Sequence, residues 1–201
     1  MRDGGPGGAR LWKASVPGSV WSILRVRASL TAAPSEVLAL LLDDARIGEY
    51  DELFDKISLV EAVEGGDCAF KRTAYKPVWP TAPRDFSLLS MWGTLEDGSA
   101  YLCNRSVDHP GCPRVDGWVR GVVMLCGFLM VPTAVPAMQA ALPSGSGNPE
   151  NGNGGGGGGG CTLTMIVHTD LGGSLPASII NVLSTSAPVG AVQRLQRIFE
   201  K

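Results

Sequence analysis

Charge is scarce in this chain. Asp, Glu, Lys and Arg together make up 18% of the 201 residues, and seventeen Lys and Arg against nineteen Asp and Glu give a net charge of -2. Without a basic excess the chain cannot neutralise a phosphate backbone along its length, so nucleic acid is excluded as its main partner. Histidine is scarcer still, at His109 and His168, and no H-E-x-x-H, G-x-S-x-G or glycine-rich dinucleotide fingerprint occurs. Catalysis has little to stand on. We expect no enzyme, no catalytic residue, no metal and no cofactor. His109 lies in Asp108-His109-Pro110 and reads as a turn closing a strand, and His168 alternates with Met165 and Val167 along another.

Five cysteines, Cys68, Cys103, Cys112, Cys126 and Cys161, are odd in number, widely spaced and without any C-x-x-C. That argues against a disulfide framework and a zinc site, and for reduced thiols in a cytoplasmic protein. The first ten residues hold four glycines, a proline and three charges, with no apolar stretch of about 7 to 15 residues behind them to serve as a signal-peptide core. Residues 1–10 are expected to be a disordered glycine-rich segment. Gly121 to Pro143 carries no charge, yet Pro132, Pro136 and Pro143 interrupt it. Its uninterrupted apolar part is about half of the roughly 20 residues a membrane span needs, so a buried strand followed by a loop is expected.

What remains is ample for burial: 44% hydrophobic residues and a mean hydropathy of +0.12 suit one globular domain of ordinary size. Ser144 to Gly160 reads SGSGNPENGNGGGGGGG, which offers nothing to bury and is expected to be a flexible loop inserted between the last two strands of a domain over 11–201. Val20 to Leu30 alternates as a half-buried strand, and Pro34-Ser35 opens a helical run from Glu36 to Arg46, with a short helix around Ile47 to Leu53. Strands are expected at Lys56–Val63, Asp67–Tyr75, Asp85–Leu95, Ser99–Val107, Trp118–Met130 and Thr162–Asp170, as an antiparallel meander. A long helix then runs to the C-terminus, with Pro188 kinking it. The fold class is α+β: a curved antiparallel sheet wrapped around a C-terminal helix, with a hydrophobic cavity between them.

Four motifs stand in order: Pro83-Arg84-Asp85-Phe86, Ser106-Val107-Asp108-His109-Pro110, Gly117-Trp118-Val119-Arg120-Gly121, and Asp170-Leu171-Gly172-Gly173-Ser174-Leu175-Pro176 with Ile179-Ile180-Asn181. Together they resemble the START domain, the steroidogenic acute regulatory protein-related lipid transfer domain, from about Trp12 to Phe199. The resemblance implies a helix-grip fold that encloses one lipid (phospholipid, sterol or other) and does no chemistry on it. It also implies transfer between membranes by a monomer that touches the membrane surface transiently. A lipid-sensing interaction module that regulates a protein partner is the alternative, and a helix-grip enzyme a third. The family's first helix would precede Trp12, where this chain has its glycine-rich stretch.

The same resemblance places Val123, Leu125 and Met165 on the strands, and Ile180, Leu183, Ala187 and Ala191 on the last helix, against the lipid. Lys71 and Ser90 stand where the sterol-carrying branch has an acid and a second arginine, so that charge pair is absent. Lys71 either reaches the cavity as a lone cation, favouring an anionic headgroup, or snorkels to solvent. Arg84, Arg120 and Asp170 are read as structural polar residues, Arg120 needing an acid such as Asp108 or Asp170. Val78 and Trp79, in a proline-stiffened loop beside the cavity mouth, form the expected membrane-contact loop, although Trp79 could also cap the cavity from inside.

Overall fold

Alternation of apolar and polar side chains determines which face of each strand is covered. β2 (Ile23–Leu30) buries Leu24, Val26, Ala28 and Leu30 and exposes Arg25, Arg27 and Ser29. In the computed structural model, which describes residues 8–133, 159–175, 179, 180 and 182–200, eight other strands join it. They are β1 (Arg10–Ala14), β3 (Phe54–Ala62), β4 (Cys68–Tyr75), β5 (Arg84–Thr94), β6 (Ala100–Ser106), β7 (Val119–Arg120), β8 (Val122–Pro132) and β9 (Cys161–Asp170). The order is β1-β2-β9-β8-β6-β5-β4-β3, with β7 pairing in parallel to the start of β5.

Three helices complete the described fold. α1 (Pro34–Leu42) starts with Pro34 in its first turn, where a missing N–H costs nothing, and Glu36 accepts the Ala33 N–H at 2.8 Å. It stops at Leu42 rather than Arg46, because the Asp43 carboxylate accepts the Ala45 N–H and turns the chain. α2 is Ile47–Tyr50 and α3 is Ala187–Phe199.

Several expectations are corrected. The sheet is not a simple meander, since β9 returns to lie between β2 and β8, and it stays open with β1 and β3 at its edges. The Trp118–Met130 strand is broken at Gly121, where a Cβ would overlap the Phe86 ring, so β7 and β8 find different partners. Arg10 belongs to a strand, which moves the end of the N-terminal segment back; residues 1–7 lie outside the described residues. The glycine-rich insertion falls mostly on 134–158, also outside them. Gly160 is not loop-like, because its carbonyl accepts the Thr133 N–H at 2.8 Å and extends the β8–β9 pairing. The last helix is segmented rather than simply kinked. Pro188 has no N–H to give the Ser184 carbonyl and its ring crowds that oxygen. Accordingly the turn ahead of it, Val182–Ser186, widens to a π-turn, and α3 begins with Pro188 in its first turn.

The core divides. The larger cluster joins Val26, Leu30, Val37, Leu41, Phe128, Met130 and Leu163 to Val192 and Leu195 of α3. A smaller one, Phe86, Leu88 and Val123, lies apart.

Candidate functional site

Between these clusters the concave face of the sheet and the first half of α3 leave a cavity of about 180 Å³. Directly opposed residues of an antiparallel pair share a face, and the registers Ser90↔Asn104, Asn104↔Cys126, Cys126↔Val167 and Val167↔Leu24 run one row across five strands. Asn104, Cys126, Val167 and Leu24 of that row line the cavity, joined by Phe86, Leu88, Val123, Met165 and Thr169. Leu183, Ala187 and Ala191, four residues apart, cover it from the helical side. The lining is mostly apolar, and the alanines keep it from filling.

Of the residues singled out in sequence, Val123, Met165, Leu183, Ala187 and Ala191 meet at this wall. Leu125 does not. A bulge at Met124 shifts the β8 register between Val123 and Leu125 and so reverses the face of every later side chain; Leu125 is 37% exposed, and Cys126 takes the inner position. Lys71 lies opposite Leu88 but turns to Asp44, its Nζ donating to Oδ1 at 2.8 Å. It is therefore ion-paired rather than a lone cation in the cavity, and its partner is an exposed carboxylate. Ser90, on the same face as Asn104, donates its hydroxyl to the Asn104 Oδ1 at 2.5 Å but is not part of the lining, and Ile180 is half-buried off it. The loop residues divide: Val78 lines the cavity and its neighbour Trp79 is 88% exposed, so Trp79 does not cap the cavity from inside.

The polar framework is built around two arginines. Arg84 donates Nε to the Leu171 carbonyl at 3.1 Å, and Nη1 to the Thr81 hydroxyl at 2.9 Å and the Ala82 carbonyl at 2.8 Å. It thereby ties the loop at 76–83 to the segment leaving β9. Burial lowers its pKa from the ordinary guanidinium value. Arg120 finds neither Asp108 nor Asp170. The parallel β5–β7 register sets it beside Asp85, to which it donates Nε at 2.8 Å and Nη2 at 2.9 Å, while Arg72 adds a third bond at 2.7 Å. Asp170 instead accepts the Gly172 N–H at 2.8 Å, opening a turn whose Gly172 and Gly173 both adopt left-handed backbone, at φ 65° and 63°.

Sequence reasoning missed Asp51, Tyr75 and Cys126 on the cavity wall. Burial pushes the Tyr75 phenol well up and the Cys126 thiol to about 12. The Asp51 carboxyl is also raised by burial, against backbone hydrogen bonds from Leu53 and Phe54, the charge of Arg194 and the Tyr75 hydroxyl. The alternation of β4 places Tyr75 on the same face as Lys71, a signal that was available. Asp51 sits in a loop, where no periodicity points to a face.

A sequence model of the START domain matches residues 13–201. This chain belongs to the START domain family. START domains bind lipids and sterols and transfer them. StAR-related lipid transfer protein 5 of Bos taurus is 26% identical over 154 residues, 76% of this chain and 62% of that protein. Homeobox-leucine zipper protein HOX32 of Oryza sativa subsp. indica is 30% identical over 105 residues, 49% of this chain but 12% of that protein. Among solved structures, human StAR-related lipid transfer protein 5 superposes with a TM-score of 0.77 at 21% identity, covering 100% of this chain and 85% of that one. The human StarD13 (DLC2) lipid transfer and protein localization domain gives 0.72 at 25% identity, covering 96% and 84%. Among the described residues no helix is long and apolar enough to cross a membrane.

Proposed function

We propose that this START domain is a monomeric cytoplasmic carrier that encloses one lipid between its sheet and α3 and moves it between membranes. The apolar cavity between the two core clusters carries the reading. Each CH₂ removed from water contributes about 0.8 kcal/mol, so a long acyl chain gains on the order of 10 kcal/mol by entering such a space. At about 180 Å³ the cavity is smaller than the roughly 300–1,000 Å³ of a typical ligand site. Loading therefore requires the wall formed by the π-turn and the loop at 76–83 to move outward. Val78 faces the cavity and Trp79 faces away from the protein, which supports membrane contact where that wall opens. The protein as purified should release one lipid per chain in native mass spectrometry and move lipid between donor and acceptor vesicles. No extractable lipid together with no transfer would reject the reading.

The likeness to a homeobox-leucine zipper protein favours a second reading, in which the loaded domain regulates a protein partner. Partner binding that depends on lipid, without vesicle transfer, would select it.

A further inference from the structure

Arginines on the outer face of the sheet meet two different fates. At β5 the charges of Arg72 and Arg120 are answered by the buried Asp85 carboxylate. Across β1, β2 and β9 the registers Arg10↔Arg27↔Thr164, Trp12↔Arg25↔Ile166 and Ser29↔Thr162 align the outward side chains, and these rows hold three arginines and no acid. Arg25 is engaged, its guanidinium carbon 4.2 Å from the centroid of the Trp12 ring. Arg27 makes no hydrogen bond or ion pair with any described residue, and it stands directly opposite Arg10. Like charges so placed in an antiparallel pair, with Cβ atoms about 4.5–5.5 Å apart, destabilise the sheet. With a net charge of -2, the chain has no basic excess that would make this pairing a by-product of composition.

The opposed pair borders a hollow. Gly8, Arg10, Trp12, Arg27, Ser29 and Thr162 surround a concavity of about 350 Å³, within the roughly 300–1,000 Å³ of a small-molecule site. Ser22 borders the lipid cavity and Ser29 the concavity, seven residues further on. At about 3.3 Å per residue the two lie roughly 23 Å apart along β2, on opposite faces of the sheet, so a lipid held against α3 does not reach the outer one. Guanidinium forks bind carboxylate or phosphate oxygens bidentately, and the Ser29 and Thr162 hydroxyls add donors beside them. An anion between the two forks replaces their repulsion by attraction. A carboxylate offers one charge and two oxygens, whereas a phosphate monoester carries nearly two charges and three acceptor oxygens, enough for both forks and a hydroxyl.

We propose that this concavity is a second binding site, for a phosphate monoester group, in which Arg10 and Arg27 hold the phosphate oxygens. The group belongs either to a soluble compound or to an anionic lipid headgroup. The site stands apart from the lipid cavity, and its occupation does not depend on the carrier reading.

The full chain is titrated with glycerol 3-phosphate by isothermal titration calorimetry in phosphate-free buffer, and sedimented with phosphatidylcholine vesicles with and without phosphatidic acid. Glycerol 3-phosphate binding without sedimentation identifies a soluble ligand; sedimentation that depends on both phosphatidic acid and Arg27 identifies a headgroup. In either case Arg27→Gln should weaken binding about tenfold or more, the loss of one charge-assisted fork. Arg105→Gln removes an exposed arginine from the outer face of β6 and should leave binding unchanged. Thermal unfolding supplies a reading that needs no ligand. Relieved of the opposed pair, Arg27→Gln should melt above the wild type in phosphate-free buffer, and glycerol 3-phosphate should raise Tm in the wild type alone. No binding of either probe overturns the proposal. Equal losses in Arg27→Gln and Arg105→Gln, the mark of a diffuse electrostatic effect, overturn it too. So does a lower Tm for ligand-free Arg27→Gln, since groups of the protein would then already compensate that charge.

Discussion

Replacing Asp85 with asparagine tests whether the convex side of the sheet depends on one buried charge. The carboxylate is 1% exposed and receives three hydrogen bonds of 2.7 to 2.9 Å from two arginines, whose side chains are 24% exposed at Arg72 and 9% at Arg120. Breaking a buried pair by removing one partner costs roughly 3–5 kcal/mol. Arg72 stays partly hydrated after the loss, and the amide oxygen keeps one bond, so about 3 kcal/mol is expected. For a domain of this size that lowers Tm by roughly 6–12 °C. The pH dependence supplies a second reading of the same group. Burial alone would raise the Asp85 pKa, but the hydrogen bonds from Arg120 and Arg72 outweigh it and hold the carboxyl below its ordinary value. A depressed carboxyl contributes stability that is complete above the unfolded value of about 3.9 and is lost as pH falls through the folded value. The amide does not titrate, so the gap between wild type and Asp85→Asn should be constant near neutrality and close in acid. Urea unfolding followed by the fluorescence of the five tryptophans, at pH 7 and at successively lower pH, measures both. A gap below about 1 kcal/mol at pH 7, the range of an exposed pair, or one that persists unchanged in acid, refutes the argument.

Leu183→Arg puts a cation into the helical wall of the cavity; lipid uptake measured by native mass spectrometry should be lost, with the far-ultraviolet circular dichroism of the sheet retained. Trp79→Ala touches a side chain that is 88% exposed. It should change stability by less than about 0.5 kcal/mol while slowing vesicle-to-vesicle transfer and leaving lipid occupancy at equilibrium unaltered. Gly121→Ala drives a methyl group into the Phe86 ring and toward the Asp170 carbonyl; overpacking of this kind costs typically about 1–3 kcal/mol. Thermal unfolding reads that loss, and an unchanged Tm would mean that β7 and β8 are not separated for the steric reason given.

The strands were legible where the chain alternates without interruption, as in β2 with its Leu24, Val26, Ala28 and Leu30. The helix start at Pro34 and the family motifs were legible too. Leu125 was misplaced because a bulge inserts one residue into the alternation, and no sequence signal at Val123-Met124-Leu125 marks it. Lys71 was placed on the correct face, since it opposes Leu88, but its partner Asp44 lies 27 residues away in a turn, a pairing that only tertiary structure creates. The partner of Arg120 was missed for a related reason. A parallel pairing of two residues, Arg84↔Val119 and Asp85↔Arg120, is too short to leave any periodicity, so Asp85, 35 residues from Arg120, was not considered beside Asp108 and Asp170.

Why the cavity persists instead of collapsing follows from how α3 is attached. Its second half is fixed to the sheet: Val192 and Leu195 are fully buried in the larger core cluster, Gln196 donates to the Ser29 carbonyl at 3.2 Å, and the Phe199 carbonyl accepts the Thr31 hydroxyl. Its first half presents Ala187 and Ala191 to the opposite wall, side chains too short to reach the Phe86, Leu88 and Val123 cluster. The sheet cannot close that gap, because its curvature is held by ladders on either side of every inner strand. Closure by the helix would mean tilting α3 about its anchored end, drawing Val192 and Leu195 out of close packing at about 1.5–3 kcal/mol for each apolar side chain exposed. The π-turn ahead of Pro188 gives the opposite end a wide, weakly bonded segment. An outward displacement there leaves the anchored contacts intact, so the fold resists emptying its core while the side that the carrier reading requires to open is the one not tied to it.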